Sequence, residues 1–200
     1  MIQGKLGAVY RANGVSVAMT NEATNSSAGY TKYTIASTTK RYIDDSVSVT
    51  VKKNGVTVTS GYIIEYAGGV VVFSTPLINT DVVTVSGNYF NIVQCATFFN
   101  WKIDFETELK DVTTFASGGW KEVQPTIKGW NGNCEGYWCD GTFISLLGQR
   151  MILVLYIDNS TNKRYEGYVY FKKNSITQPT NDVVKESVEL LGDDPLYYHE

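Results

Sequence analysis

Histidine is the scarcest reactive side chain in this sequence. The 200 residues include a single histidine, His199, which lies beside the last residue. Chain ends usually fray, and one terminal histidine cannot support the Ser-His-Asp or Cys-His mechanisms of nucleophilic catalysis. No glycine-rich loop of the phosphate-binding or dinucleotide-binding type is present. The sequence therefore predicts a protein that is not an enzyme and that uses no cofactor or metal.

Cysteines and long apolar runs are also few. The three cysteines, Cys95, Cys134 and Cys139, are odd in number and lack the spacing of a zinc knuckle or redox motif. We expect free thiols in a reducing cytoplasm, with a zinc site as the weaker alternative. The first four residues do not resemble a signal peptide, and the longest apolar run, Met151 to Ile157, is too short to span a bilayer. Synthesis in the cytoplasm and no membrane segment are expected.

Charge is sparse and slightly negative. Charged residues make up 18% of the chain, and the formal net charge is −3 with a pI near 5.3. Because phosphate binding needs a basic patch, this balance argues against a protein that grips DNA. Tyrosine is abundant, at 14 residues. Low charge with many tyrosines favours β-structure and extensive contact between proteins.

Alternating hydrophobic residues predict strands along most of the chain. Between Tyr33 and Tyr89 the signals are dense, and Asn54-Gly55 predicts a hairpin because both residues accept positive φ. Gly68-Gly69 between two apolar runs predicts a second hairpin. We expect one domain over residues 1–200, in which residues 33–90 form an inserted or elaborating all-β subdomain.

The most regular alternation begins at Phe99, with apolar side chains on one face of a strand. The polar face consists of Asn100, Lys102, Asp104, Glu106 and Glu108. A strand with one mixed-charge face normally turns that face to water. The segment Asp111 to Trp120 breaks the pattern and is predicted to be a loop. Ile127 to Trp138 is the next strand, and its alternate glycines predict close backbone approach.

Helical spacing occurs once. Phe143, Leu146 and Leu147 follow a capping Thr142 and precede Gly148, which predicts a helix of about two turns. Lys5 to Arg11 is predicted to be a strand. The polar segment Thr20 to Ser27 is predicted to be a loop or a mobile arm. The acidic segment Gly192 to Glu200 is predicted to be an arm. The expected fold class is mainly β with one short helix.

Two sets of residues leave other functions open. Asp104, Glu106 and Glu108 share a face that Glu135 could approach, as the paired carboxylates of a glycosidase would require. A solvated strand face is the simpler interpretation. Four tryptophans could form a sugar-stacking platform, although core and interface packing is their commoner use. They are Trp101, Trp120, Trp130 and Trp138.

Several short runs in order resemble the major tail proteins of long-tailed, non-contractile phages. They are Trp101 to Phe115 (WKIDFETELKDVTTF), Gly119 to Glu122, Ile127 to Trp138 (IKGWNGNCEGYW), Leu155 to Asp158 and Asn181 to Gly192 (NDVVKESVELLG). The resemblance covers about half of the chain and is specific in combination. The cysteines are no part of the pattern, and the size of segment 33–90 departs from simpler relatives.

The resemblance implies a structural virion protein made in a bacterial host. It implies an antiparallel β-sandwich or barrel-like subunit with one flanking helix, six subunits in a ring, and rings stacked into a tail tube through which DNA passes. Asn100, Lys102, Asp104, Glu106 and Glu108 are then expected to face the lumen. Asp111, Thr113, Thr114, Phe115 and Trp120 are expected to contact the next ring, and the two polar segments to act as arms. The implied partners are further copies of the chain and the tape measure, tail terminator and distal tail proteins, with no membrane.

The sequence leaves a second function open. An all-β receptor-binding or carbohydrate-binding module of a virion would use the tryptophans and tyrosines as platforms. Such a module would remain a monomer or trimer, whereas a tube subunit would polymerise.

Overall fold

Antiparallel strand pairing accounts for most of the computed structural model, which describes residues 7–200. The strands are β1 Ala8–Ser26, β2 Lys32–Ile35, β3 Thr50–Lys53, β4 Val56–Val58, β5 Tyr62–Glu65, β6 Val70–Phe73, β7 Val83–Gln94, β8 Phe98–Asp111, β9 Val123–Tyr137, β10 Arg150–Asp158, β11 Lys163–Thr177 and β12 Lys185–His199. One α-helix, α1, spans Thr142–Ser145, and three 3₁₀ turns span Thr38–Lys40, Tyr66–Gly68 and Phe115–Ser117. The predicted mainly-β class with one short helix is confirmed.

The described residues form two compact units. The first unit contains residues 7–96, Met151–Gly167 and Tyr197–Glu200, and the second contains Thr97–Arg150 and Tyr168–Leu196. Strands β11 and β12 each contribute residues to both units. The expectation of one domain with an elaborating segment 33–90 stays a prediction.

The first unit is a sandwich of two strand layers. One layer has the order β4-β3-β7-β1-β10-β11, and the other is the group β5-β6-β2. The core cluster between them includes Met19 of β1, Ile35 of β2, Val51 of β3, Val71 of β6 and Val85 of β7. Because alternate residues of a strand face the same side, the alternating Val83 and Val85 of β7 both point into that core. This burial is the main stabilising term for the unit.

Both hairpins predicted for the first unit are confirmed. Asn54 and Gly55 have positive φ values of 52° and 81° and connect β3 to β4. Gly69 (φ 65°) ends the 3₁₀ turn between β5 and β6. A side chain at Gly69 would overlap the backbone of Arg41, so glycine is required there for packing as well as for conformation.

Strand β1 is longer than the sequence predicts. Glu22 and Ala23 pair with β7, and Thr24 to Ser26 pair with β2, so the prediction of a loop or arm over Thr20 to Ser27 is wrong. Most side chains of this segment are exposed and polar on both faces of the strand. The sequence therefore shows no apolar period there, although the segment is a strand. Of the predicted strand Lys5 to Arg11, Ala8 onwards is confirmed, and Lys5 and Leu6 lie outside the described residues.

The second unit has the strand order β11-β12-β9-β8 and contains α1. The Phe143 ring of α1 packs against the rings of Phe98 and Phe171, with centroids 5.0 and 5.8 Å away. The helix is one turn long, shorter than predicted, and Gly148 (φ 74°) follows it. No helix within residues 7–200 is long and apolar enough to cross a membrane.

Close backbone approach at the β9 glycines is confirmed. A Cβ at Gly132 would lie 2.7 Å from the Lys102 carbonyl oxygen, and one at Gly136 would lie 2.6 Å from Phe98 Cδ1. Gly192 of β12 lies against the buried indole of Trp130, whose Nε1 donates to the Asp194 carbonyl oxygen at 2.9 Å. The prediction of an arm over Gly192 to Glu200 is wrong, since β12 continues to His199.

Candidate assembly surface

The β8–β9 hairpin of the second unit carries every residue predicted to face the lumen or to contact the next ring. Its two strands pair in register from Asn100 opposite Glu135 to Asp111 opposite Val123, with irregularities near Phe98 and Thr107. Strand β8 ends the order of this unit, and no other strand pairs with it within residues 7–200. Its outer edge therefore presents backbone donors and acceptors over 14 residues.

The predicted polar face exists on β8 and continues onto β9. Lys102 lies opposite Asn133, and Asp104 lies opposite Asn131. The Lys102 Nζ is 2.7 Å from an Asp104 carboxylate oxygen. Asn131 Nδ2 donates to Glu106 Oε1 at 3.0 Å, and Asn100 Nδ2 donates to Glu135 Oε2 at 3.3 Å. These bonds hold the polar side chains on one face.

Strand β12 extends the polar face further. Ser187 Oγ donates to Asn133 Oδ1 at 2.9 Å, and Glu189 lies opposite Asn133. With Lys172 of β11 these residues line a shallow groove shared with Lys102 and Asp104. Sequence reasoning missed the contributions of β9 and β12, although the alternation of asparagine with glycine in WNGNCEGYW was a signal for them.

Glu108 lies at the irregularity of β8. Thr126 Oγ1 is 3.2 Å from the Glu108 carbonyl oxygen and 3.5 Å from its carboxylate. Glu108 therefore belongs to the outer half of the hairpin, beyond the groove.

The opposite face of the hairpin changes character along its length. Near its base it is covered: Trp101 and Ile103 lie opposite Cys134 and Gly132, in register with buried Val188 and Leu190. Towards the tip it is exposed. Phe105 is 61% exposed and Leu109 60%. An apolar strip along roughly 13 Å of β8 therefore faces solvent in the single chain.

The tip of the hairpin is ordered by its own hydrogen bonds. Asp111 Oδ1 accepts from Thr113 N at 2.9 Å, and bonds from Thr113 lower the pKa of the Asp111 carboxyl. Thr114 caps the 3₁₀ turn by accepting from Ala116 N, and Ser117 Oγ accepts from Thr114 N at 3.0 Å. The prediction of a loop over Asp111 to Trp120 is confirmed as to its position.

The five residues predicted for ring stacking divide into two groups. Asp111, Thr113 and Thr114 hold the turn. The Phe115 side chain is fully exposed and that of Trp120 is 81% exposed, so the turn presents two large aromatic rings to solvent. Aromatic side chains are enriched among the residues that anchor protein interfaces.

The structure places Asp104 and Glu135, two carboxylates of the glycosidase alternative, far apart on the polar face. Asp104 lies opposite Asn131 of β9, which is four positions from Glu135 on the same strand. Asp104 and Glu135 are therefore separated by roughly 13 Å along the sheet. Glycosidase carboxylates are separated by about 5 to 9.5 Å. The Asp104 carboxylate forms an ion pair with Lys102, and the Glu135 carboxylate accepts hydrogen bonds from Asn100 and Asn133.

The tryptophans do not form one platform either. Trp130 is buried against Gly192, and Trp120 lies at the hairpin tip. The three cysteines are free thiols as expected, with Cys95 and Cys134 buried and Cys139 exposed. Burial raises the pKa of Cys95 to about 11, so this thiol stays protonated.

His199 is not at a frayed end, contrary to expectation. It lies in β12, where its Nε2 is 3.2 Å from Oε2 of the fully buried Glu166 in the first unit. Burial lowers the pKa of His199 to about 4, and Arg164 reinforces the shift. Arg164 donates from Nε to the other Glu166 oxygen. Sequence reasoning missed this cluster because His199 is distant from Arg164 and Glu166 along the chain.

Comparisons with known proteins find similar solved structures, three of which are described below. No family model and no curated protein matches the chain. The first similar structure is the virion of a native gene transfer agent particle, with a TM-score of 0.45, 15% identity, and coverage of 55% of this chain and 89% of that one. The tail of an empty gene transfer agent particle, computed with C6 symmetry, has a TM-score of 0.45 and 16% identity, with coverage of 55% of this chain and 87% of that one. The SPP1 tail tube has a TM-score of 0.36 and 13% identity, with coverage of 73% of this chain and 72% of that one.

Proposed function

We propose that this chain is a tail tube subunit of a long-tailed, non-contractile phage or of a related tail-like particle. Copies close into rings, six to a ring as the sequence resemblance implies, and the rings stack into a tube through which DNA passes on ejection. The observation that carries the proposal is the β8–β9 hairpin, which has an unpaired outer edge and an exposed apolar strip in the single chain.

Ring closure would remove both liabilities of the hairpin. A 14-residue edge strand with exposed Phe105 and Leu109 promotes uncontrolled pairing unless another chain covers it. In a closed ring, the same edge of each copy meets the same surface of the next, so no edge is left over. The proposal therefore assigns the apolar strip to contacts between copies.

The polar face suits a lumen. Its carboxylates, Asp104, Glu106, Glu108, Glu135 and Glu189, outnumber the ammonium groups of Lys102, Lys172 and Lys173. A face of net negative charge does not hold phosphate, so DNA would slide past it. Asn100, Lys102, Asp104, Glu106 and Glu108 are proposed to line this channel.

The hairpin tip is proposed to contact the next ring. Phe115 and Trp120 supply the contact, while Asp111, Thr113 and Thr114 fix its shape. The tape measure, tail terminator and distal tail proteins are the other proposed partners. The finished protein would reside in the virion tail after synthesis in the host cytoplasm.

Negative-stain electron microscopy of the concentrated full chain tests the proposal. Hollow tubes or stacked rings with a regular axial repeat are expected. Small discrete particles at every concentration and salt condition would contradict it, and glycan-array binding would then test the receptor-binding or carbohydrate-binding alternative.

A further inference from the structure

A cleft in the first unit is lined by hydrogen-bond donors and by no carboxylate. The cleft has a volume of about 230 Å³, and its donors are Thr38, Thr39, Arg41, Tyr42, Asn91 and Arg164. The two arginines supply charge, and the threonine hydroxyls and the Asn91 amide supply neutral donors. Burial raises the pKa of the Tyr42 phenol, so this group also stays protonated at neutral pH.

Both arginines are fixed in place. The Arg164 side chain is 4% exposed, and it donates from Nε to Glu166 and from Nη1 to the Asn162 carbonyl oxygen at 2.9 Å. Arg41 donates from Nε to the Ile35 carbonyl oxygen at 2.9 Å. Gly69 packs directly on the Arg41 backbone. A site whose donors are already oriented loses little entropy when a ligand binds.

The carboxylates near the two arginines lie outside the cleft lining. Glu166 interacts with both Arg41 and Arg164 but does not line the cleft. Glu200 lines a second pocket that includes the same two arginines, and its carboxylate is 3.7 Å from Lys163 Nζ. The cleft lining therefore carries two positive side chains and no negative one, in a partly buried setting where electrostatic attraction is stronger than in water.

We infer that this cleft binds a small oxyanion, with Arg41 and Arg164 as the charged contacts and Thr38, Thr39 and Asn91 as neutral donors. Planar guanidinium groups suit carboxylate and phosphate oxygens equally, so the shared chemistry is an oxyanion. The inference is independent of the proposed tail function, because it concerns the first unit alone.

Thermal unfolding of the full chain in inorganic phosphate tests the inference, with sodium chloride at matched ionic strength as the reference. At ten times the dissociation constant, phosphate should raise the unfolding midpoint by roughly 3 to 5 °C over the reference. Sodium acetate forms a second arm. A shift with phosphate alone assigns a tetrahedral oxyanion, and a shift with acetate too assigns a carboxylate as an equally good ligand.

Three variants make the test specific. Arg41→Gln should weaken phosphate binding at least tenfold, whereas Arg11→Gln, the same change on β1 outside the cleft, should leave it unchanged. Asn91→Asp places a negative charge at an exposed cleft position and should abolish binding even if Arg41→Gln folds poorly. The inference is overturned if phosphate gives no more stabilisation than sodium chloride, or if Asn91→Asp retains the phosphate shift of the unaltered chain.

Discussion

The first unit and the outer half of the β8–β9 hairpin differ in the solvent exposure of their apolar side chains. In the first unit, Ile43, Val51 and Val71 are completely buried between two strand layers. In the outer half of the hairpin, Phe105, Leu109 and Ile127 are mostly exposed. Residues of similar hydrophobicity thus serve the folding of one chain in one region, and they are free to serve contacts between chains in the other. Substitutions should separate these two roles.

Removing the buried carboxylate should cost the most. Glu166→Ala leaves the Arg164 guanidinium buried without its charged partner, which typically costs about 3 to 5 kcal/mol of unfolding free energy. Urea unfolding followed by circular dichroism measures the loss. Glu189→Ala removes an exposed ion pair with Lys173 and should cost under about 1 kcal/mol. Equal losses for the two variants would remove the contrast between the units.

The same truncation should have different costs in the two regions. Ile43→Ala empties space in the packed core and should lower the unfolding free energy by about 2 to 5 kcal/mol. Ile127→Ala, at an exposed apolar site in the outer half of the hairpin, should change it by less than about 0.5 kcal/mol. Urea titration of both variants under one set of conditions gives the comparison. A large loss from Ile127→Ala would show that this site is covered within the single chain.

Acidification should weaken the first unit through His199. Its pKa in the folded chain, about 4, is below the ordinary value of 6.5, so the folded state favours the neutral form. The stabilisation is complete above pH 6.5 and is lost as pH falls to 4, by about 3 kcal/mol in all. Burial raises the Glu166 pKa and contributes a slope of opposite sign.

The histidine variant isolates the His199 contribution. Unfolding free energies of the natural chain and of His199→Asn, measured from pH 4 to 8, should differ by an amount that grows with pH up to about 6.5. Parallel pH profiles would mean that His199 does not titrate between these values.

At the hairpin tip the effect should fall on assembly and not on folding. Phe115→Ser with Trp120→Ser removes two exposed rings, so the unfolding free energy should stay within about 0.5 kcal/mol. Tubes should then need at least roughly tenfold more protein, since interface anchors typically contribute more than 1 kcal/mol each. Sedimentation and electron microscopy measure this. Ile63→Ser, an exposed apolar site of the first unit, is the control, and an equal effect there would count against a special role for the tip.

The smallest effect is expected on the polar face. Asp104→Asn and Glu135→Gln keep the shape of each side chain and remove exposed charges whose pairing contributes little. Both variants should fold and assemble like the natural chain, as scored by unfolding and by tube formation. A failure to assemble would show that this face lies in a contact between copies.

Sequence patterns predicted the parts of the fold in which local chemistry decides the structure. The Asn54-Gly55 turn, the β8 alternation, the Phe143 helix and the position of the tip loop are all of this kind. The extension of β1 to Ser26 was not predicted, because a strand with exposed polar faces has no apolar period. The cluster of Arg164, Glu166 and His199 was not predictable either, because strand pairing brings together residues over 30 positions apart.

Prediction of the candidate site was correspondingly partial. The alternation of β8 identified a polar face, and the break after Asp111 located the tip. Whether the apolar side of the hairpin is covered depends on how far neighbouring strands extend, which no local pattern records. The exposed strip at Phe105 and Leu109 therefore emerged only from the structure.

The turn at the hairpin tip is closed on itself. Thr113, Thr114 and Ser117 find partners between Asp111 and Glu122, including Glu122 N donating to Thr113 Oγ1 at 2.9 Å. Such a segment behaves as a cassette, since its shape depends on its own residues and on the two strands that carry it. Grafting residues 111–122 onto another long hairpin, or replacing them with a foreign recognition loop, should preserve both host and insert, which makes this tip a natural point for re-engineering what the protein contacts.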